Sequence, residues 1–421
     1  MEKIKAIILA AGKGTRMKSD LPKVLHLIQG RPMVSFAVGL ARSLKIKDII
    51  VVVGYKDQLV KKYLDKGVKL VKQSRLMGTA DAVMSARTRI GKLDGEVLIL
   101  YADHPLFTKE TISNLVKSHL KNKSDCSFVT ASVEEPKGYG RIRRDNYSRV
   151  QEIVEETDLI GHDHDIKEIN LGAYCFKSKS LFSALSKIKI NQKKKEYYLT
   201  DAIGILSQEK ARVEALLIED SAQALGINSQ EDLAQANQIM HLRIIQDFVA
   251  KGVSIIDPLN TYIDSSAIIG KDTIIYPFTV IEADVKIGKS CRIGPFCHIR
   301  PKSILMDEAE VGNFTELNRS KIGENTIMKH FGYLGDAVVG KNVNIGAGTV
   351  TANYDGKDKH PTYIKDKAFI GSDTVLIAPV KVGKASVTAA GSVLTKNKNV
   401  PDKAVVAGVP AKILSRRRRN E

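Results

Sequence analysis

Gly12 and Gly14, followed by Arg16 and Lys23, close the first apolar run of the chain in a grouping suited to phosphate. Glycines let backbone amides approach an anion closely, and the two cations offset its charge. Pro22 narrows the backbone freedom of Leu21 just before Lys23. No Gly-Lys-Ser/Thr ends the loop and no Gly-x-Gly-x-x-Gly is present, so neither common nucleotide fingerprint is met. Taken alone, the loop also fits an ordinary tight turn. Asp103 follows another apolar run, where a carboxylate facing a triphosphate can hold Mg²⁺. The other reading of Asp103 is a cap for a helix near Thr108. Far downstream, the neutral imidazole of His330 could take a proton from an amine attacking a thioester, with Glu316 orienting it. By composition alone, a structural hydrogen-bonding histidine is as good a reading.

The elements that must carry these residues come in two rhythms. In the first half, short buried strands at 4–9, 49–53 and 97–101 alternate with helices at 32–44, 57–64 and 79–87. That alternation predicts a mostly parallel sheet with helices on both faces and ligands beyond the carboxyl ends of its strands. A helix over residues 230–250, with Leu233, Ile239, Leu242, Ile245 and Phe248 as its apolar positions, predicts a connector. After it, aliphatic residues recur every six positions, at Ile263, Ile269, Ile275, Ile281, Ile287, Ile293 and Ile299. This fits neither a helix nor one strand, but short strands joined by turns and stacked as a triangular solenoid. The rhythm is expected to slip at 301–310 and again between 353 and 363, where a polar loop would leave the solenoid toward a neighbouring subunit. The expected division is 1–227, a connector at 228–251, a solenoid over 252–415 and a basic tail at 416–421.

At 421 residues the chain is long enough for two or three domains with cores of their own. Nothing in it reads as a signal peptide or a membrane span, which predicts a cytoplasmic protein with no stable membrane association. The four cysteines, Cys126, Cys175, Cys291 and Cys297, form no close pair and are expected free and buried, the last two stacked on adjacent coils. The net charge of +18 raises nucleic acid as a partner. Its basic residues are dispersed without interleaved aromatics, so the expectation is anionic small molecules and no nucleic acid, with 416–419 as a solvated run.

Together, the glycine-rich loop, the Leu-Pro-Lys-Val-Leu-His at 21–26, Gly78-Thr79 and Asp103 resemble the sugar-1-phosphate nucleotidyltransferases. Gly138-Tyr-Gly-Arg141, Ile153-Val-Glu155, Glu168-Ile-Asn170 and Tyr197-Tyr-Leu-Thr-Asp201 narrow the likeness to the pyrophosphorylase half of the bifunctional enzymes that make UDP-N-acetylglucosamine. Gly294-Pro-Phe, Val311-Gly-Asn-Phe314, Tyr333-Leu-Gly-Asp336, Asn342 to Thr349 and Asn353-Tyr-Asp-Gly356 are similar to their glucosamine-1-phosphate N-acetyltransferase half. The resemblance spans nearly the whole chain. It implies an α/β Rossmann-like nucleotidyltransferase domain followed by a left-handed parallel β-helix of hexapeptide repeats, assembled as a homotrimer.

By the same resemblance, Leu9, Ala10, Ala11, Gly12, Gly14, Gln73, Gly78 and Thr79 hold the nucleotide, and Arg16 and Lys23 face the UTP phosphates. Gly140, Glu155 and Asn170 contact the sugar, and Asp103 and Asn228 hold Mg²⁺. In the second half His330 is the general base, and Arg300, Tyr333, Asn344, Tyr354 and Lys359 face the sugar phosphate. Asn353 and Tyr354 position the amine and thioester, Ser372 assists the thioester carbonyl, and Ala347 and Ala390 line the acetyl-CoA channel. Three residues depart from the family pattern. Ala102 stands where glycine is usual, Asp81 where histidine is usual, and Asn318 where a lysine usually helps hold the sugar phosphate. The closing segment at 406–412 resembles other hexapeptide-repeat acetyltransferases. These departures leave open a related two-domain enzyme with another sugar or nucleotide, or one whose acetyltransferase site is altered or lost.

Overall fold

The computed structural model describes residues 4–414; the tail at 415–421, with the basic run of 416–419, lies outside them. Contacts divide the chain into two compact units, Met1–Met240 and His241–Glu421.

The first unit is built on a nine-stranded sheet. Its central strand, Ile4–Ala10, is flanked in parallel by Asp48–Val53 and Glu96–Tyr101, and Val68–Lys72 extends the sheet in parallel beyond Asp48–Val53. Within the first three of these strands, 6–10, 49–53 and 97–100 read as unbroken aliphatic runs because both of their faces are covered, and two separate apolar clusters lie one on each side of the sheet. Glu168–Lys177 runs antiparallel between Glu96–Tyr101 and Cys126–Ser132, and Val213–Ile218 pairs in parallel with the latter. The expected helices are present as Met33–Ser43, Asp57–Lys62 and Thr79–Ser85. The helix Lys109–Asn122 is capped by the Thr108 hydroxyl, which accepts from the Thr111 amide, so Asp103 is not the cap.

The second unit begins within the helix Gln230–Ala250 and continues as a left-handed parallel β-helix. Its short strands form three sheets, of ten, eight and seven strands, one per face of a prism and parallel throughout except for the last strand of the first, Lys412–Ile413. The sixfold aliphatics fall on the faces in turn and stack one coil later. Ile263 pairs with Ile281, and Ile281 with Ile299, on the eight-stranded face, Ile269 with Ile287 on the seven-stranded face, and Ile275 with Ile293 on the ten-stranded face. All seven are buried. Cys291 and Cys297 therefore stand at successive corners of one coil and not on adjacent coils, because a coil takes eighteen residues and six span only one face. All four cysteines are free and buried.

The rhythm does not slip at 301–310. Leu305, Val311 and Leu317 hold their places above Ile287, Ile293 and Ile299. The shortening falls later, where Leu305 meets Ile322 and Ile322 meets Val339, each seventeen residues on. Each lost residue is taken from a corner after the eight-stranded face, at 318–321 and then at 335–338. The long insertion follows the next strand of that face, Thr349–Ala352, so all three irregularities stack on one edge of the prism.

Candidate functional sites

In the first unit the strand Ile4–Ala10 delivers its carboxyl end into a cleft of about 450 Å³. Leu9, Ala10, Ala11, Gly12, Gly14, Lys23, Gln73, Gly78, Thr79 and Asp103, all singled out from sequence, line it. Gly12 has open space where a Cβ would stand, whereas a Cβ on Gly14 would lie 2.6 Å from that of Lys23. Gly78 (φ +102°) opens the helix Thr79–Ser85, and a side chain there would meet the Tyr197 carbonyl at 2.5 Å. The Thr79 hydroxyl accepts from the Leu199 amide at 2.9 Å, tying that helix start to the 197–200 segment.

At the other end of the cleft, the Lys23 ammonium is hydrogen-bonded to Asp103 Oδ2 and lies 3.1 Å from Asn228 Oδ1. Arg16 donates to the same amide oxygen at 2.9 Å. Asn228 is brought there by its own segment, in which the Ile227 amide donates to the Asp103 carbonyl and Gly226 abuts the His104 ring. Burial acts to raise the Asp103 carboxyl, but the Lys23 ammonium and the His104 ring outweigh it and hold the group below the usual range. The two oxygens expected to hold Mg²⁺ thus already converge on one positive charge, and this donor set fits a cation. Among the described residues no three His, Cys, Asp or Glu side chains group as a metal site. Two protein oxygens are what Mg²⁺ uses where substrate phosphates and water complete its octahedron.

Gly140, Glu155 and Asn170 form a neighbouring group. The Asn170 amide donates to the Gly140 carbonyl at 2.9 Å, and Glu155 Oε1 accepts from the Thr200 hydroxyl at 2.7 Å. Burial pushes the Glu155 carboxyl up. It pushes Asp201 up to about 6, aided by the charges of Glu155 and Asp158. Ala102, one of the departures, is fully buried, and its amide donates to the Leu9 carbonyl, so its methyl lies in the core. Tyr101 and Glu196 also line the cleft but were not singled out from sequence. Tyr101 ends the strand before Asp103 and could have been found by its position. Glu196 comes from a distant segment with no periodic signal.

In the second unit, three successive corners between the ten- and eight-stranded faces carry Ala347, Ser372 and Ala390. His330 lies at the corner one coil earlier. Backbone ladders join these corners, with Gly348 donating to Phe331, Asp373 to Ala347 and Gly391 to Ser372 at 2.6–2.8 Å. The proposed base and the acetyl-CoA residues therefore share one edge. The eight-stranded face beside it carries a shallow hollow of about 430 Å³, lined by His298, Glu316, Tyr333 and Val350 and bordered by Phe296, Phe314 and Phe331. Phe278, Phe296 and Phe314 stack at 4.9 Å along its border.

The opposite edge of this face holds the irregular corners. Arg319 forms a forked pair with Asp336 at 2.6 and 2.8 Å, and its third donor reaches Asn318 Oδ1 at 2.9 Å. The buried Asn353 donates to Asp336 Oδ2. The Arg319 hydrogen bonds outweigh partial burial and hold the Asp336 carboxyl low. Gly335 leaves room for Tyr333 and Asn353 together, since a Cβ there would sit 2.3 Å from the Tyr333 hydroxyl and 2.7 Å from the Asn353 amide nitrogen. The 353–360 loop closes on itself through a bridge between Tyr354 and Lys359, and its Asp355 accepts from His360 at 2.6 Å.

Glu316 is paired across the ladder with Tyr333 and accepts from Arg300 at 2.9 Å, and His330 lies in the turn before Tyr333, where its carbonyl accepts from the Thr315 hydroxyl. Arg319, the neighbour of Asn318, has its donors held by Asp336 and Asn318. Asn344 lies on the ten-stranded face, apart from Arg300 and Tyr333.

Comparison with known proteins covers both units. A nucleotidyl transferase family model matches residues 5–235, and a GMPPB C-terminal domain model matches 258–354. The bifunctional protein GlmU of a Geobacillus species is 42% identical over 438 aligned positions, covering 96% of this chain and 95% of the relative. That of Alkaliphilus metalliredigens is 40% identical, covering 96% of each. That of Listeria monocytogenes serotype 4b is 38% identical, covering 96% of this chain and 95% of its own. Among the described residues no helix is long and apolar enough to cross a membrane.

Proposed function

The chain belongs to the GlmU family of bifunctional proteins, and on that footing we propose that it makes UDP-N-acetylglucosamine in two steps. The β-helix moves acetyl from acetyl-CoA to the amine of glucosamine 1-phosphate. The nucleotidyltransferase unit then joins N-acetylglucosamine 1-phosphate to UTP and releases pyrophosphate. The observation that carries the reading is the convergence of the strand-end glycines, Gln73, Thr79, Lys23 and Asp103 on one cleft, in a chain alike to its relatives from end to end.

In the uridylyl step the sugar phosphate oxygen attacks the α-phosphorus of UTP, and no protein nucleophile is required. Catalysis is alignment and charge stabilisation. Loop amides at 11–14 cradle phosphate, Arg16 and Lys23 supply positive charge, and Gly140, Glu155 and Asn170 hold the sugar. Asp103 and Asn228 would hold Mg²⁺, which supplies charge neutralisation at the phosphates when bound.

In the acetyl step His330 takes the proton of the attacking amine, and Ser372 supports the thioester carbonyl. Asn353 and Tyr354 position the reacting groups, and Ala347 and Ala390 border the pantetheine arm. Arg300, Tyr333, Asn344 and Lys359 face the sugar phosphate. Because Asn344 and Tyr333 stand on different faces of one prism, the set closes only when another copy is laid alongside, which supports a homotrimer packed through the β-helix. The absence of any apolar membrane-crossing helix among the described residues agrees with work in the cytoplasm.

The test is thiol release from acetyl-CoA with glucosamine 1-phosphate, with and without UTP and Mg²⁺, following products by mass. N-acetylglucosamine 1-phosphate and then UDP-N-acetylglucosamine are expected. Turnover of only supplied N-acetylglucosamine 1-phosphate would remove the acetyl half of the proposal.

A further inference from the structure

Gln73 is buried at 4% exposure, yet it lines the nucleotide cleft. A glutamine amide offers a base either a donor end or an acceptor end, and which of them faces the cleft decides what can be read. Here the choice is made by the groups behind the side chain. Gln73 Nε2 donates to Asp81 Oδ2 at 2.7 Å and to the Gly78 carbonyl at 3.1 Å. A carboxylate and a carbonyl both only accept, so both amide hydrogens are committed to them. The reversed amide would set its oxygen against two oxygens. Among the described residues no side chain or backbone group donates to Gln73 Oε1.

Asp81 owes its position to the helix start. It is the third residue of Thr79–Ser85, whose first turn favours a negative side chain. Gly78 adopts φ +102° with no room for a Cβ, which fixes where its carbonyl points. This positioning pair therefore belongs to the same turn that lines the cleft.

We propose that Asp81 is a positioning residue for base selection, locking Gln73 so that only its carbonyl oxygen faces the nucleotide. An acceptor at that point matches a pyrimidine that carries a hydrogen on N3, as uracil and thymine do. Cytosine has a bare N3, which would set a lone pair against Gln73 Oε1. The inference rests on the nucleotide reading of this cleft and adds how the base is chosen. Asp81, which departs from the family pattern, then strengthens the preference for uracil and does not redirect the site.

Equilibrium binding of UTP and of CTP to the full chain with Mg²⁺ tests this without requiring turnover. The wild-type protein is expected to bind UTP at least about tenfold more tightly than CTP, the effect of leaving a buried polar group unmatched. In Asp81→Ala the carboxylate acceptor behind the Gln73 amide is removed, and the ratio should fall to within about threefold of unity, whereas Asp81→Asn, whose Oδ1 still accepts from Gln73 Nε2, should keep most of it. A merely structural role for Asp81 would weaken both nucleotides alike and leave their ratio in place. Equal binding of UTP and CTP by the wild type, or a ratio unmoved in folded Asp81→Ala, overturns the proposal. UTP binding with intact preference but no uridylyl transfer would instead count against the function proposed above.

Discussion

The two candidate sites are made by opposite geometries. The open sheet of the first unit ends its strands around a hollow, so residues from 9, 73, 78, 103 and 196 meet within one fold. The prism of the second unit turns its aliphatics inward and has only outward faces, so its functional residues spread over an edge, a face and a second edge. A crevice of the first kind arises wherever helices diverge from strand ends. A site on a prism needs another surface laid against it. This contrast explains why Lys23, Asp103 and Asn228 already touch within the chain, whereas His330, Tyr333 and Asn344 do not.

The largest effects should separate the two units. His330→Ala is expected to lower acetyl transfer by about 10²- to 10⁴-fold, the range for loss of a general base, while uridylyl transfer stays within about twofold. Equal loss of both activities in a folded variant would undo the assignment. Asp103→Ala should cost uridylyl transfer about 10²- to 10³-fold and spare acetyl transfer, as removal of a preorganised charge-stabilising group does. Magnesium-dependent uridylyl transfer at the wild-type rate would break its proposed role.

A smaller effect tests how tightly the first cleft is built. Gly78→Ala should destabilise the first unit by about 1–3 kcal/mol, since the added methyl meets the Tyr197 carbonyl at positive φ. The β-helix should melt as before, which differential scanning calorimetry can resolve.

The smallest concerns charge. Burial raises Asp201 to about 6, so the folded state holds this proton over a window where the unfolded chain has released it. Stability from this group is greatest below about pH 4 and declines as pH rises toward 6, after which the deficit is constant. Asp201→Asn should therefore raise the melting temperature at pH 7 by about 2–4 °C and leave it unchanged below pH 4. A rise of the same size at acid pH would show that charge is not the cause.

Much of this was legible beforehand because period and burial coincide. The unbroken aliphatic runs at 6–10 and 49–53 fit strands covered on both faces, and the six-residue repeat pointed to a solenoid. The residues that line the first cleft were legible because glycines and a strand-end aspartate occur in compact motifs. The antiparallel strand Glu168–Lys177 was not, since pairing direction is set by distant partners and leaves no local mark. The first break in rhythm was misplaced because Pro301 and the polar run after it look irregular while Leu305 and Val311 keep their stacks.

The edge where two corners lose a residue and a third gains a loop has a wider meaning. Above and below it the aliphatic columns stay aligned, with Leu317 under Leu334 and Val339 under Ile364. Alignment is held by the interior columns and is indifferent to how much chain passes outside between them. That edge is thus a place where sequence can be inserted, shortened or exchanged without rebuilding the column, and a graft there should inherit a rigid mount. A coil so edited could acquire a new recognition loop while the rest of the solenoid keeps its thread.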